Sequence, residues 1–495
     1  MSENTCPTPK ESFGKRFGLL LAFIVLVGIF LLPTPQGLPV AGQRMIGILF
    51  FSVIIWMLEA VPYPVSAVVI TVLMAFSLGL APDMAQPEKM LGTDKALSIA
   101  LGGFASTAWA LVAAALFLAA AMMITGLDKR IALFVMSKIG AKTNRVLMGV
   151  IFVGFALSFF VPSTTARVSC MLPIVLGIIN AFGVKAGSRF AAVLMIAIAQ
   201  ADSLWNVGIK TAAAQNMVAI GFIKQVLGQD ISWIQWFIAA APFSAIMSVI
   251  LYYLLLKLMP PEVKEIEGGQ EKINKMVTEM GPITLPEKRL LFYSCCLLFF
   301  WVTEKTFHSF DTATVTIAGI MIMFLPKIGV MQWKDAVPKI NWGTIVLFGT
   351  GISLGSALLK TNAAIWLAKE FVTAFGMEAL PALAILAILA FFLIVIHLGF
   401  ASATGLAAAM IPIIISILQS VTTPGINTLG LTMILQYVIS FGFILPVNAP
   451  QNMIAFGSGM FTPADFIKTG LPLTVIAYVL ILIFGATYWS WLGYV

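Results

Sequence analysis

Charge is scarce in this chain. Only 10% of its 495 residues are Asp, Glu, Lys or Arg, against 60% hydrophobic. That ratio leaves too little polar surface for a soluble domain and fits a polytopic membrane protein. Histidine is scarcer still, with His308 and His397 the only two. Without a His-Glu-x-x-His pattern a zinc peptidase is excluded, and without a Walker A loop ATP does not drive the protein. Asp202 has no second aspartate inside an apolar span, which argues against an intramembrane aspartyl protease. The four cysteines, Cys6, Cys170, Cys295 and Cys296, give no disulfide framework, because two are adjacent and one lies in an apolar run. The net charge of +8 does not imply nucleic acid; the basic residues sit where the positive-inside rule places them.

What is present is a polar cluster inside a hydrophobic run. Phe160-Val-Pro-Ser-Thr-Thr-Ala-Arg-Val-Ser-Cys-Met-Leu-Pro173 gathers hydroxyls, two prolines and Arg167. Pro162 lacks a backbone donor and breaks the helix, and Arg167 is expensive at membrane depth. Irregular backbone at that depth is tolerated only inside protein or along a wet cavity, so the stretch should line a site. The arrangement recurs in Phe400-Ala-Ser-Ala-Thr-Gly-Leu-Ala-Ala-Ala-Met-Ile-Pro412. Ser163 and Ser402 each stand ten residues before a proline, and Thr165 and Thr404 eight before. Further on, Ala213-Ala-Gln-Asn-Met-Val-Ala-Ile-Gly221 echoes Ala449-Pro-Gln-Asn-Met-Ile-Ala-Phe-Gly457. Two such halves are the pattern of a secondary transporter, whose site lies between repeats.

In chain order, the pattern predicts an all-α polytopic membrane protein of about 11 transmembrane helices plus two re-entrant hairpins in an inverted repeat. Lys10, Lys15 and Arg16 precede the first span and lack a convincing cleavage site after them, so this end reads as an anchor. The polar stretch 81–98 is expected outside. Residues 126–140 and 363–375 read as amphipathic interfacial helices. Hairpins are expected at 146–183 and 381–418, with spans broken near 206–216 and 446–452. Residues 231–237, with Trp233 and Trp236, read as interfacial, and 259–287 as a loop. The N-terminus falls in the cytoplasm and the C-terminus outside, which puts most Lys and Arg residues on cytoplasmic segments.

Two hairpin tips and two broken spans would aim four helix ends at one midplane cavity. Unpaired N–H groups and the helix dipole favour an anion there. Ser163, Thr165, Ser402 and Thr404 add donors at the tips, and Asn216 and Asn452 add amides at the breaks. The plainer alternative is that buried Ser and Thr merely bond the preceding turn. Arg167 offers a fork suited to carboxylate. Lys210 either meets substrate or is neutralised by Asp202. His397 is either a packed core residue or a third positive group, and Glu59 reads as a cap or interfacial partner. Trp205 stands apart from the interfacial tryptophans because it falls in the first break. A site made permanently cationic by Arg167, Lys210 and His397 would return across the membrane only with an anion bound, which is exchange.

These residues resemble the divalent anion/sodium symporter family, carriers of citrate, dicarboxylates and sulfate, over nearly the whole chain. That family has Ser-Asn-Thr at each tip; here Ser163-Thr164-Thr165 and Ser402-Ala403-Thr404 lack the Asn twice. Its Thr-Pro-Pro-Asn-like turns read Ala213-Ala-Gln-Asn216 and Ala449-Pro450-Gln-Asn452 here. Ser163-Thr-Thr-Ala-Arg167 and His397-Leu-Gly-Phe-Ala-Ser402 are similar to the citrate/succinate and oxoglutarate/malate antiporter branch. The resemblance implies substrate contacts at the Ser, Thr and Asn positions, at Thr164, Ala403 and Pro450, and at the positive groups above. It implies sodium-independent exchange of dicarboxylates, no cofactor, and a homodimer working as an elevator. A scaffold would comprise 1–143 and 287–378, a mobile part 144–258 and 379–495, and a cytoplasmic loop 259–286. Sodium-coupled symport on the same fold is the rival, and a membrane-embedded enzyme or receptor a more distant one.

Overall fold

The computed structural model describes residues 13–140, 142–181, 183–184, 187–262 and 269–495. Cys6, Lys10 and part of the expected loop, 263–268, lie outside these.

The first half opens with three apolar helices, α1 (Phe13–Leu31), α2 (Val40–Met57) and α3 (Tyr63–Gly79). Pro39 precedes α2 and Pro62 precedes α3, at the one end of a helix where a missing N–H does no harm. The stretch 81–98, expected to be an external segment, turns into α4 (Thr93–Leu101), which packs along α3. A short 3-10 turn joins it to α5 (Thr107–Thr125), capped by Ser106 Oγ accepting from Trp109 N at 3.1 Å. Gly103 in that turn presses its backbone on α16 (Trp342–Lys360), where any Cβ would overlap the carbonyl of Gly349. The interfacial helix α6 (Leu127–Ile139) follows, after Gly126 ends α5 in the left-handed region at φ 74.

The first hairpin comprises α7 (Thr143–Ser158) and α8 (Thr164–Ala181). The first broken span comprises α9 (Arg189–Gly208), a 3-10 turn at Lys210–Ala212, and α10 (Ala214–Phe222). Then α11 (Trp233–Leu258) runs unbroken for 26 residues from a Ser232/Gln235 capping box. Trp233 and Trp236, expected at the interface, are instead buried. Trp236 Nε1 donates to Val207 O (2.9 Å) and Trp233 Nε1 to Thr211 Oγ1 (3.3 Å), so both pin the first break. The expected loop contains a helix, α12 (Gly269–Glu279), docked on α6.

The second half replays the order with α13 (Leu285–Thr303), α14 (Thr312–Phe324), the short α15 (Trp333–Ala336), α16 and the interfacial α17 (Ala363–Ala374). Its hairpin is α18 (Ala382–His397) and α19 (Ala403–Ser420); its broken span is α20 (Thr428–Ile439) and α21 (Pro450–Phe456). This break begins at Ser440, earlier than the proline suggests. The long α22 (Pro463–Ala486) and α23 (Tyr488–Trp491) close the chain. Among the described residues seven helical segments are long and apolar enough to cross a membrane alone; the shorter apolar helices are hairpin arms, halves of broken spans and flanking helices. The halves interlock: α21 packs on α8 and α9 of the first half, and α10 on α19 and α20 of the second. This exchange brings both tips and both breaks to one place.

Candidate functional site: a cavity between two tips

At each tip a serine starts the second hairpin helix. Ser163 Oγ accepts from Ala166 N at 3.4 Å, and Ser402 Oγ from Gly405 N at 3.2 Å. Their carbonyls accept from Arg167 N and Leu406 N, both at 3.0 Å. Each serine is thus an N-cap, and the donors that remain free lie at the helix start. At the breaks the caps are alanines. Ala213 and Ala449 sit in extended backbone ahead of α10 and α21 and offer no side-chain acceptor. That leaves the N–H groups of Ala214 and Gln215 on α10, and of Gln451 on α21 where Pro450 has none, for something else, and an anion is what such an end favours.

The ends of α8, α10, α19 and the seven-residue α21 converge on a cavity of about 350 Å³. Ser163, Thr164 and Thr165 line it from one tip, and Ser402, Ala403 and Thr404 from the other. Pro450 lines it beside Ala449 and Gln451. Across the cavity stand Tyr63, Pro64, Asn341 and Thr344, at the starts of α3 and α16. No charged side chain lines it among the described residues. Thr164 Oγ1 donates to Asn206 Oδ1 (2.9 Å), and Ser163 and Thr165 hydroxyls share a 3.1 Å bond.

Five of the residues nominated from sequence do not reach this cavity. Asn216 is fully buried; its Nδ2 donates to the carbonyls of Asn206 (2.7 Å), Ile209 (3.2 Å) and Lys210 (3.3 Å). Asn452 does the same for Gly442 (2.7 Å) and Leu445 (3.5 Å). Both amides satisfy the orphan carbonyls that a broken helix leaves behind, so they tie the breaks and do not line the cavity.

Arg167 is also buried, one layer behind the tip. Its Nε donates to Asp202 Oδ1 (2.9 Å), Nη1 to Val161 O (2.7 Å) and Ala212 O (3.0 Å), and Nη2 to Asn206 Oδ1 (2.7 Å). One guanidinium therefore ties the tip, the break and α9 together. Asp202 is spent on Arg167, which corrects the expectation that it neutralises Lys210. The partner of Lys210 is Glu304 at 3.9 Å, and its Nζ donates to Ile231 O at 2.6 Å. His397 is buried at the end of α18, with Nε2 3.3 Å from Asn448 O. Asn448 Nδ2 in turn donates to the carbonyls of His397 (2.9 Å), Leu398 (3.2 Å) and Phe400 (3.3 Å). The cationic cavity read from sequence is corrected accordingly: Arg167 and Lys210 are paired with carboxylates and face away from it.

Sequence reasoning missed Asn206, Thr211, Gln215 and Gln451 as cavity residues. The glutamines had a signal, since each directly precedes the matched asparagine in both halves. Trp205, expected in the first break, instead lies within α9 and packs on Phe155 of the first hairpin with ring centroids 4.3 Å apart.

An inverted helical repeat whose hairpin tips and broken spans meet at one neutral, donor-rich cavity defines a secondary transporter for a small anion, not an enzyme. The chain belongs to the family described as the sodium:sulfate symporter transmembrane region, which matches residues 14–495. It is 52% identical over 490 residues to a membrane protein of Cupriavidus necator, covering 99% of this chain and 95% of that one. It is 27% identical over 480 residues to the citrate/succinate antiporter of Escherichia coli K12, covering 94% and 96%. The fold is similar to that of the Alcanivorax borkumensis YdaH transporter, with TM-score 0.53 at 14% identity, covering 86% of this chain and 97% of that one. The protein is accordingly a multi-pass membrane transporter of a family that carries anions.

Proposed function

We propose that the protein exchanges dicarboxylates across the cytoplasmic membrane without sodium. The observation that carries this reading is the cage around Arg167. In transporters of this kind, unwound carbonyls and half-helix ends are what coordinate sodium. Here the tip carbonyl of Val161, the break carbonyl of Ala212 and the side-chain oxygens of Asn206 and Asp202 all accept from one guanidinium. A permanently charged group takes the place of a dissociable one. At the other tip the carbonyls accept from Asn448. The likeness to a citrate/succinate antiporter supports the same reading, while the family's description as sodium symporters supplies its rival.

The reason for exchange differs from the one the sequence suggests. Asp202 cancels the formal charge of Arg167, so the positive field in the cavity comes from helix N-termini, each worth about half a unit charge. Carrying those ends empty through a low-dielectric layer is costly, and a bound dianion offsets the cost. Ser163, Thr165, Ser402 and Thr404 donate to the carboxylates in this reading, with Thr164, Ala403 and Pro450 shaping the walls.

The mobile part is 144–258 with 379–495, moving as an elevator against 1–143 and 287–378 in a homodimer. With the N-terminus cytoplasmic and the C-terminus outside, the starts of α3 and α16 that line the cavity lie on its cytoplasmic side. A cysteine at the exposed Glu271 is then labelled only from inside, and one at the exposed Asp94 only from outside. The functional test is counterflow in proteoliposomes with succinate, malate, oxoglutarate, citrate and sulfate. Uptake that requires an internal dicarboxylate supports exchange; equal uptake into empty vesicles refutes it.

A further inference from the structure

Gln451 is a cavity side chain whose amide is oriented by a short bond to a neighbouring helix. It is the second residue of α21, nine-tenths buried, and lines the cavity beside Pro450. Its Nε2 lies 3.0 Å from Ser203 Oγ on α9. The proton of that hydroxyl is already committed, because Ser203 Oγ donates to Ala199 O at 2.9 Å. The hydroxyl can only accept from Gln451, so the amide cannot flip, and Oε1 is held on the opposite side. Oε1 receives no hydrogen bond from the described residues and is not among the fully enclosed unpartnered atoms. The equivalent Gln215 is held less firmly, with Nε2 3.4 Å from Ser440 Oγ.

We infer that Gln451 reads the carbon skeleton of the substrate and selects dianions that carry a hydroxyl. This rests on the dicarboxylate reading above. The helix ends present donors, which suit the two carboxylates. An acceptor fixed among them repels a carboxylate oxygen and is satisfied by a group that donates. On a dicarboxylate chain at neutral pH, that group is an alcohol between the two carboxylates. A substrate without one leaves Oε1 facing the skeleton unpaired, and sites built to bond a substrate hydroxyl discriminate against analogues lacking it. Ser203 acts as the positioning residue, because it fixes which end of the amide faces the cavity.

The test compares malate with succinate, which differ by one hydroxyl, in the reconstituted full-length protein. Half-saturation in exchange should favour malate by about threefold to tenfold, the range of one neutral hydrogen bond. Gln451→Met, which keeps the length and removes the acceptor, should bring that ratio to about one, with half-saturation for malate raised relative to that for succinate. Ser203→Ala frees the amide to turn and should lower the ratio with malate transport retained. If Gln451→Met proves inactive, Ser203→Ala decides. A ratio preserved in Ser203→Ala, or in an active Gln451→Met, overturns the inference. Equal half-saturation for the two dianions in the wild type also overturns it, while leaving the dicarboxylate reading intact. A wild type that transports neither overturns the dicarboxylate reading itself.

Discussion

In the first half of the molecule a guanidinium ties the hairpin tip to the broken helix; in the second half an amide makes the corresponding tie. Arg167 lies four residues after the tip serine, where the second half has Leu406. Asn448 lies four residues before the matched asparagine, where the first half has Ala212. Arg167 bonds the carbonyls of Val161 and Ala212, and Asn448 bonds those of His397, Leu398 and Phe400. What the two halves share is the pair Asn216 and Asn452, each holding the carbonyls of its break. The repeat thus keeps the geometry of the breaks and lets the chemistry of the tie vary. Where the tie is charged a buried partner comes with it: Asp202 stands fourteen residues before Asn216, and Val438 holds that position before Asn452. The same contrast recurs six residues before each asparagine, where Lys210 pairs with Glu304 and Pro446 has no charge to pair.

The largest expected effect breaks the charged tie. Arg167→Ala leaves Asp202 buried without a partner, a loss of about 3–5 kcal/mol, and should abolish exchange and lower the melting temperature in detergent. Arg167→Lys should rescue poorly, because a point charge cannot reach four oxygens in a fork. The triple change Arg167→Leu, Asp202→Val and Ala212→Asn copies the second half, with the new amide in the place of Asn448. It should recover most of the stability, since apolar replacement of a buried pair is often neutral, yet not the exchange. Recovery of both would show that the guanidinium is only packing.

Next come the tip hydroxyls that line the cavity. Thr165→Ala and Thr404→Ala each remove a donor from the cavity wall, worth about 1.5–3 kcal/mol when the acceptor is charged. Both should raise half-saturation tenfold or more with little change in melting temperature. Asn216→Ala and Asn452→Ala should do the opposite. They strand buried carbonyls at about 1–3 kcal/mol of stability, and the protein that remains folded should keep its half-saturation. Matching losses of affinity would put these asparagines back in the site.

Much of this was legible in the chain. Proline and hydroxyl clusters inside apolar runs mark the tips and breaks because a membrane leaves irregular backbone nowhere else to go, and the repeat doubles every signal. Partners were not legible. Asp202 is thirty-five residues from Arg167 and Glu304 lies on another element from Lys210, and nothing local distinguishes a partner from a neighbour. The charges of Arg167 and Lys210 therefore read as facing substrate when each faces a carboxylate. Trp233 and Trp236 misled for a related reason: a tryptophan pair at a helix start looks the same whether it meets the membrane surface or packs on a break. The helix α4 was missed because Thr93–Leu101 is short and mixed in polarity, and packing on α3 supplies what its own sequence lacks.

The smallest expected effect concerns the second ion pair. Lys210 and Glu304 stand 3.9 Å apart, too far for a hydrogen bond. Glu304→Gln leaves Lys210 with its bond to Ile231 O. The new amide oxygen can still accept from Thr312, whose Oγ1 donates to Glu304 Oε2 at 2.9 Å. The carboxylate facing the buried Lys210 is lost, so a fall in melting temperature is expected, smaller than that of Arg167→Ala because no hydrogen bond joins this pair and Thr312 Oγ1 keeps its acceptor. Asp202→Asn with Lys210→Gln should be worse than either single change, because the two residues are not partners and each substitution strands a different group. Mutual rescue in that double variant would contradict the pairing.

In the proposed exchange, Arg167 stands where a dissociable cation would otherwise be needed. Its most direct test is the rate of malate-for-succinate exchange in proteoliposomes, measured with sodium replaced by potassium or choline and again across a sodium series. Exchange without sodium predicts one rate at every sodium concentration, including none. A several-fold acceleration of the wild type by external sodium would contradict it.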